Sequence, residues 1–268
     1  MLLRTIISIT ALSLLVLTGP ALVSAQTEKT AAVDPAAAVL ERAVGYLGGD
    51  RYLQVKTQIS RGKFSVIRGN AVVSFQSFYD IIVFPDSERT EFKGMGSRTV
   101  QVNTTDSSWV FDGDQGVIRD QNEKQIESFR QSIRTSLDSI LRGYWRGKAE
   151  LSYVGKRAAM LGKRNEVVKL TYDDGFVVEF EFAADSGMPQ KALYKRIGVD
   201  KEEIKEEDRY AQFIEVDGVR APFIVDRFTD GTQSSRINLE NIEFNKAVPD
   251  SIFAKPSSPK EAKKDIKL

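Results

Sequence analysis

Phe176, Val178, Phe180 and Phe182 alternate with Val177, Glu179 and Glu181. On an extended chain this gives one aromatic face and one partly charged face, the signature of a half-buried strand. Asp173-Asp174-Gly175 precedes the run and Asp185-Ser186-Gly187 follows it, both with turn chemistry. Further strands are expected over 191–197, 210–216, 223–228 and 235–244, with turns at Asp217-Gly218 and Asp230-Gly231. Pro222 suits a strand start or an edge, where its missing N–H costs no ladder bond. Upstream, residues 66–84 are rich in β-branched and aromatic side chains around a turn at Arg68-Gly69-Asn70, and Pro85-Asp86 ends that run. Shorter strands fit 89–93, 99–103, 108–111 and 116–119.

Two stretches carry a helical period instead. Asp34-Pro35 opens the first: Asp caps free N–H groups and Pro fits the first helical position. Leu40, Ala43, Val44 and Leu47 form its apolar stripe, and Gly48-Gly49 ends it. In the second, Ile126, Phe129, Ile133, Leu137, Ile140 and Tyr144 are spaced 3, 4, 4, 3 and 4 residues apart. This predicts one helix over residues 122–142, roughly 30 Å long, lying across the sheet. The fold class expected is α+β: a strongly curved antiparallel sheet, an incomplete barrel, with helices over its concave face. Residues 34–256 are expected to form one domain.

The first residues specify a compartment. Arg4 precedes a mostly apolar stretch over 5–17, and Val23-Ser24-Ala25 offers small residues where a signal peptidase cuts. Residues 1–25 are therefore expected to be a cleaved signal peptide, too short in apolar length for a span of roughly 20 residues. Residues 26–33 are expected to be a disordered leader, and the polar, lysine-rich residues 257–268 a flexible tail. With no cysteine for lipid attachment, the expected product is a soluble periplasmic protein, not an integral membrane protein. The chain has 38 basic and 37 acidic residues; without Arg4 the balance is 37 against 37. Such neutrality lacks the general attraction a nucleic acid partner would exploit.

Composition also excludes chemistry. With His 0 and Cys 0, Ser-His-Asp and Cys-His triads and thiolate or imidazole metal sites cannot form. No enzyme activity, metal or cofactor is expected. Asp173-Asp174 is an adjacent carboxylate pair, but it stands in a turn. Asp112, Asp114 and Asp120 lack the spacing of a calcium loop. Arg61-Gly62 and Lys93-Gly94-Met95-Gly96 lack the Gly-Lys-Ser/Thr of a phosphate loop, and Asn103-Thr104-Thr105 is a bare glycosylation sequon. Residues 200–208, with six acids and two lysines, read as a solvated hairpin tip.

Aromatic residues cluster instead, with Phe75, Phe78, Tyr79 and Phe84 in one region and Trp109 and Phe111 in another. A half-open sheet capped by helices can leave an apolar cavity able to bind apolar ligands. Several segments resemble the LolA-type outer-membrane lipoprotein-sorting family. They are the first helix ending Tyr46-Leu47-Gly48-Gly49, the apolar strand running into Pro85-Asp86 with Arg89 and Glu91, the segment Thr105-Asp106-Ser107-Ser108-Trp109-Val110-Phe111, and Val248-Pro249-Asp250-Ser251-Ile252-Phe253-Ala254-Lys255-Pro256. The resemblance implies an incomplete antiparallel barrel closed by helices, and a periplasmic carrier of a lipid or of an acylated lipoprotein cargo. The lining expected for that cavity is Ile82, Phe84, Phe92, Trp109 and Phe111 with Ile133 and Leu137 from the covering helix. The chain departs from the carrier at Phe84, where the family has an Arg that bonds the helical lid. An alternative within the same fold is an envelope sensor or scaffold that binds a protein partner. Which strand face points inward depends on register, since a slip of one residue exchanges the faces.

Overall fold

Strand pairing runs without interruption from one end of the sheet to the other. The computed structural model describes residues 34–264 apart from 95 and 199, so the signal peptide and leader expected over 1–33 lie outside the described residues. Thirteen strands form one sheet. The first block is β1 (Thr57–Arg68), β2 (Ala71–Val83), β3 (Ser87–Gly94), β4 (Ser97–Asn103), β5 (Ser108–Asp112) and β6 (Val117–Asp120). The second is β7 (Ala149–Ala158), β8 (Arg164–Tyr172), β9 (Val177–Ala183), β10 (Pro189–Ile197), β11 (Glu203–Val216), β12 (Val219–Thr229) and β13 (Thr232–Phe244). Their spatial order is β6-β5-β4-β3-β2-β1-β13-β12-β11-β10-β9-β8-β7, with every neighbouring pair antiparallel. Each block is a meander of hairpins, and the single long-range closure is β1 against β13. Since β6 and β7 do not pair with each other, the sheet stays open. This is the incomplete barrel expected from the pattern.

Helix α1 (Pro35–Leu47) is capped by Asp34, whose carboxylate accepts from the Ala36 N–H at 3.0 Å. A short helix α2 (Asp50–Leu53) follows. The second helical stretch departs from expectation. It is not one rod but two helices, α3 (Glu123–Thr135) and α4 (Leu137–Arg142). Ser136 takes an extended backbone, and its hydroxyl caps α4 by accepting from the Ser139 N–H. Across the break Phe129 of α3 and Leu137 of α4 both still reach the cavity under the helices. Leu137, Ile140 and Leu141 of α4 are buried, whereas Ile126, Phe129 and Ile133 of α3 are only half-buried.

The main core lies between α1, α4 and the second block. Ala36, Val39, Ala43 and Leu47 pack with Ile140 against Val168, Leu170, Val178, Phe180 and Phe182. The alternation that marked residues 176–182 as a strand thus supplies the core face, at about 1.5–3 kcal/mol per large side chain. Strands β7 and β8 carry no turn-bounded alternation that marks them in the sequence. β8 is buried on both faces through Asn165, Glu166, Val167 and Val168, which erases the two-residue signal.

A second, smaller core sits on the convex face of the first block. Val100, Val102, Trp109 and Phe111 are fully buried there beneath Phe253 and Ala262. The Trp109 indole N–H donates to the Phe253 carbonyl at 2.9 Å. Arg89 donates to the Ile252 carbonyl at 2.7 Å, and both Arg89 and Arg98 bond the buried Glu91 carboxylate. The closing segment around Phe253 is therefore a strap across the back of the sheet. Residues 257–264, expected to fray, include a one-turn helix α5 (Pro259–Ala262) that carries Ala262 into this cluster.

Candidate functional site

Between the concave face and the helices lies a cavity of about 860 Å³, within the range of small-molecule sites, about 300–1,000 Å³. Its floor is built by register. Leu239, Gly62, Phe78 and Phe92 face one another across β13, β1, β2 and β3. Phe64 lies one step further toward the hairpin tip, opposite Ile237, with its ring edge-on to Phe92 at 6.1 Å. A side chain at Gly62 would not fit, since its Cβ would stand 2.2 Å from the Asn238 carbonyl oxygen. Toward the other end the same floor turns polar. The next row is Ile242, Ser60, Asp80, Thr90 and Gln101, and the row after it Phe244, Gln58, Ile82, Glu88 and Asn103. The cavity is thus amphipathic along its length, aromatic at the β1–β2 hairpin end and polar near Pro85.

The polar end holds two carboxyl groups joined through one hydroxyl. Thr90 Oγ1 stands 2.7 Å from Asp80 Oδ1 and 3.1 Å from Glu88 Oε1. Burial, and then the Glu88 charge beside it, push the Asp80 carboxyl well above the usual range. Burial raises Glu88 as well, against hydrogen bonds from Thr90 and Asp80 and the charge of Arg227 across the cavity. A pair so close holds one proton between its members more readily than two negative charges. The facing wall carries Tyr194, Glu206, Asp208, Tyr210 and Arg227. Glu206 and Asp208 come from the acidic run expected to be a solvated tip. Only its first residues turn, while from Glu203 onward it is strand β11, and these two acids face inward.

Helices α3 and α4 form the cover, with Gln125, Ser128, Phe129 and Leu137 on the cavity. Arg142 of α4 ties the cover to α2 and to the segments flanking β1 and β2. Its guanidinium lies 4.3 Å from the Tyr52 ring centre and 4.4 Å from that of Phe84, and it donates to Asp138 and to the Val55 carbonyl. At Phe84, where the resemblance implies an arginine, the chain thus has an aromatic ring against an arginine of the helical cover.

Of the residues expected to line the cavity, Phe92 and Leu137 do so. Ile82, Phe84 and Ile133 meet in an adjoining side pocket of about 100 Å³, which shares Glu88, Phe129 and Asp138 with the main cavity. Trp109 and Phe111 are placed elsewhere, on the opposite face under the strap. Asn103, expected as a sequon, is buried in the cavity wall. Asp174 is a turn residue paired to Arg134, and Asp112 caps its own turn through the N–H groups of Asp114 and Gln115. Among the described residues no group of three metal-ligating side chains comes together, and no helix is long and apolar enough to cross a membrane.

The arrangement defines a class: an open antiparallel half-barrel with a ligand-sized cavity under a helical cover. No protein-family model and no curated protein matches the chain. Solved structures do. A DUF1329 family protein from Desulfovibrio piger superposes with a TM-score of 0.59 at 14% identity, over 82% of this chain and 98% of that one. A candidate outer membrane lipoprotein-sorting protein domain from Vibrio parahaemolyticus gives 0.55 at 11% identity, over 82% and 97%. A LolA-superfamily protein from Nitrosomonas europaea gives 0.54 at 15%, over 82% and 97%. The fold is LolA-like, and at these identities the likeness concerns the fold.

Proposed function

We propose that this protein is a soluble, non-enzymatic periplasmic carrier or binder of a lipid-like ligand, an acyl chain of a lipoprotein or a comparable amphiphile, held in the cavity between sheet and helices. The observation that carries the proposal is the amphipathic cavity itself, about 860 Å³ with Phe64, Phe78 and Phe92 at one end. A void that large has no value for stability, because an empty cavity costs the packing its walls would otherwise make. Phe92 and Leu137 would touch the chain of the ligand, with Ile82, Phe84 and Ile133 extending the contact through the side pocket. The exported location rests on the signal peptide expected in residues 1–25, and the lipoprotein-sorting role on neighbours that share the fold.

The test is native mass spectrometry of the protein purified from a bacterial periplasm, followed by organic extraction. A lipid or acylated peptide at near-stoichiometric level supports the carrier. An empty protein that also fails to bind fluorescent amphiphiles with anionic, neutral and cationic heads refutes it. One observation favours a second reading, an envelope sensor or scaffold for a protein partner: Val73 and Phe75 stand exposed on β2 at the sheet edge of the β1–β2 hairpin. Together with Val72 they form a run of exposed apolar side chains, and contiguous apolar patches mark contact surfaces. Loss of a pulled-down envelope protein on Phe75→Ser would support that reading, and unchanged recovery would remove it.

A further inference from the structure

Every arginine on the cavity wall is already engaged by an acid. Arg142 pairs with Asp138 at 2.7 Å, Arg196 with Glu206 at 2.7 Å, Arg227 with Asp208 at 3.6 Å, and Arg220 with Glu215 at 3.2 Å. Asp80 and Glu88, which share the Thr90 hydroxyl, have no cation within ion-pair distance among the described residues. Directly across the β3–β4 ladder from Glu88 stands Asn103, also on the cavity wall and 7% exposed, whose side-chain oxygen is buried with no hydrogen-bond partner. A buried acceptor left unpaired forfeits its hydration with nothing in return. Here it stands opposite Glu88, one of two linked carboxyl groups that burial already penalises. Asp80 and Glu88 share one hydroxyl donor and Asn103 Oδ1 has none among the described residues, so a further donor would complete the set.

We infer that Asp80, Glu88 and Asn103 form the head-group site of the cavity, and that the ligand is a single-chain amphiphile ending in a protonated primary amine. This deepens the carrier proposal and rests on it. The geometry supports the polarity of binding. The aromatic row at Phe78 and Phe92 lies next to the Asp80 row along the same strands, so a chain lying on the aromatic floor brings its head against the acids. An anionic head group, carboxylate or phosphate, would meet Asp80 and Glu88 with every wall arginine already committed. A neutral alcohol would satisfy at most one acceptor with its single O–H, whereas an ammonium carries three donors. An ammonium beside Asp80 and Glu88 favours their charged forms, so its binding drives proton release from these raised carboxyl groups to the buffer.

The experiment is isothermal titration of the protein purified from a bacterial periplasm with dodecylamine, dodecanol and dodecanoate below their aggregation limits, at pH 7 in two buffers of different ionisation enthalpy. The expected result is dodecylamine bound at least ten times more tightly than dodecanoate, with proton release to the buffer. The isosteric double variant Asp80→Asn/Glu88→Gln, checked by circular dichroism, should bring amine and alcohol within a factor of about two while dodecanol affinity holds. Asn103→Leu should weaken only the amine. Equal or tighter binding of dodecanoate, or a preference that survives the double variant, overturns this inference and leaves the carrier proposal standing. Failure of all three amphiphiles to bind defeats the carrier proposal itself. Lysophosphatidylethanolamine against lysophosphatidylglycerol distinguishes the source: preference for the former assigns the amine to a phospholipid head group, and preference for dodecylamine alone assigns it to a free amine.

Discussion

Replacing Arg142 by Ala tests how the helical cover is held. The side chain is 4% exposed and Asp138 is 32% exposed. Burial works against the guanidinium charge, but Asp138 together with Tyr52 and Tyr144 outweighs it and the arginine pKa is raised. Truncation removes a charged donor from the Val55 carbonyl at 2.9 Å, worth about 1.5–3 kcal/mol. It also removes the stacking over Tyr52 and Phe84, about 1–2 kcal/mol for the two rings. Asp138 keeps the Tyr52 hydroxyl at 2.9 Å and its contact with water, so its loss adds about 1 kcal/mol at most. The expected total is about 3–5 kcal/mol, the range for breaking one side of a buried pair. Arg142→Met, which keeps the apolar stem over the rings but no donor, should lose about 2–3 kcal/mol. Urea unfolding of wild type, both variants, Asp138→Ala and Arg142→Ala/Asp138→Ala gives these values and a coupling energy of about 1 kcal/mol. A loss under about 1 kcal/mol for Arg142→Ala, at unchanged slope, would show that the contact behaves as a surface ion pair. The reasoning from burial would then be refuted.

Three further outcomes are expected. Hydrogen bonds from Arg134, then the Phe176 N–H, hold the Asp174 carboxyl at about 2, below its ordinary 3.8. A depressed folded-state pKa stabilises above the unfolded value and is lost as pH falls toward 2. With the side chain 61% exposed, the effect is under about 1 kcal/mol, so the stability gap between wild type and Asp174→Asn should close between pH 5 and pH 2 in acid denaturation, and a constant gap would count against the pairing. Asp80 and Glu88 have the opposite sign: their folded-state pKa values are raised, so stability falls as pH rises through them. Asp80→Asn/Glu88→Gln should therefore melt higher than wild type at pH 8, by about 2–4 °C per kcal/mol, and equally at pH 4. Finally, because Trp109 lies under the strap and not in the cavity, its fluorescence in a Trp145→Phe background should not respond to an amphiphile. Trp109→Ala should cost about 3–5 kcal/mol and expose residues 252–262 to protease; an intact strap in that variant would contradict its role.

Much of this protein was legible in its sequence, for a local reason. Alternation along residues 176–182, turn residues at Gly175 and Gly218, and the cap at Asp34 all act within a few positions of themselves, so the strands, hairpins and α1 follow from near-neighbour chemistry. Where a segment is buried on both faces, as in β8, or bends while keeping its apolar side, as at Ser136, the local signal vanishes or misleads. The site was less legible. Phe92 and Leu137 belong to the cavity, but Trp109 and Phe111 look identical in character and face the other way, because the segment around Phe253 covers them from 144 residues further along the chain. Asp80, Glu88 and Asn103 are ordinary polar residues on three strands, and the acids of β11 resemble a solvated loop. Only the register of β2, β3 and β4, set by the whole antiparallel ladder, brings the three acceptors together. Because hydrophobic period belongs to each strand and helix alone, a sheet under a helical cover could be read from the residues. Tertiary structure decided which face became the cavity and where its polar end lies, since facing is a property of strands paired across long loops.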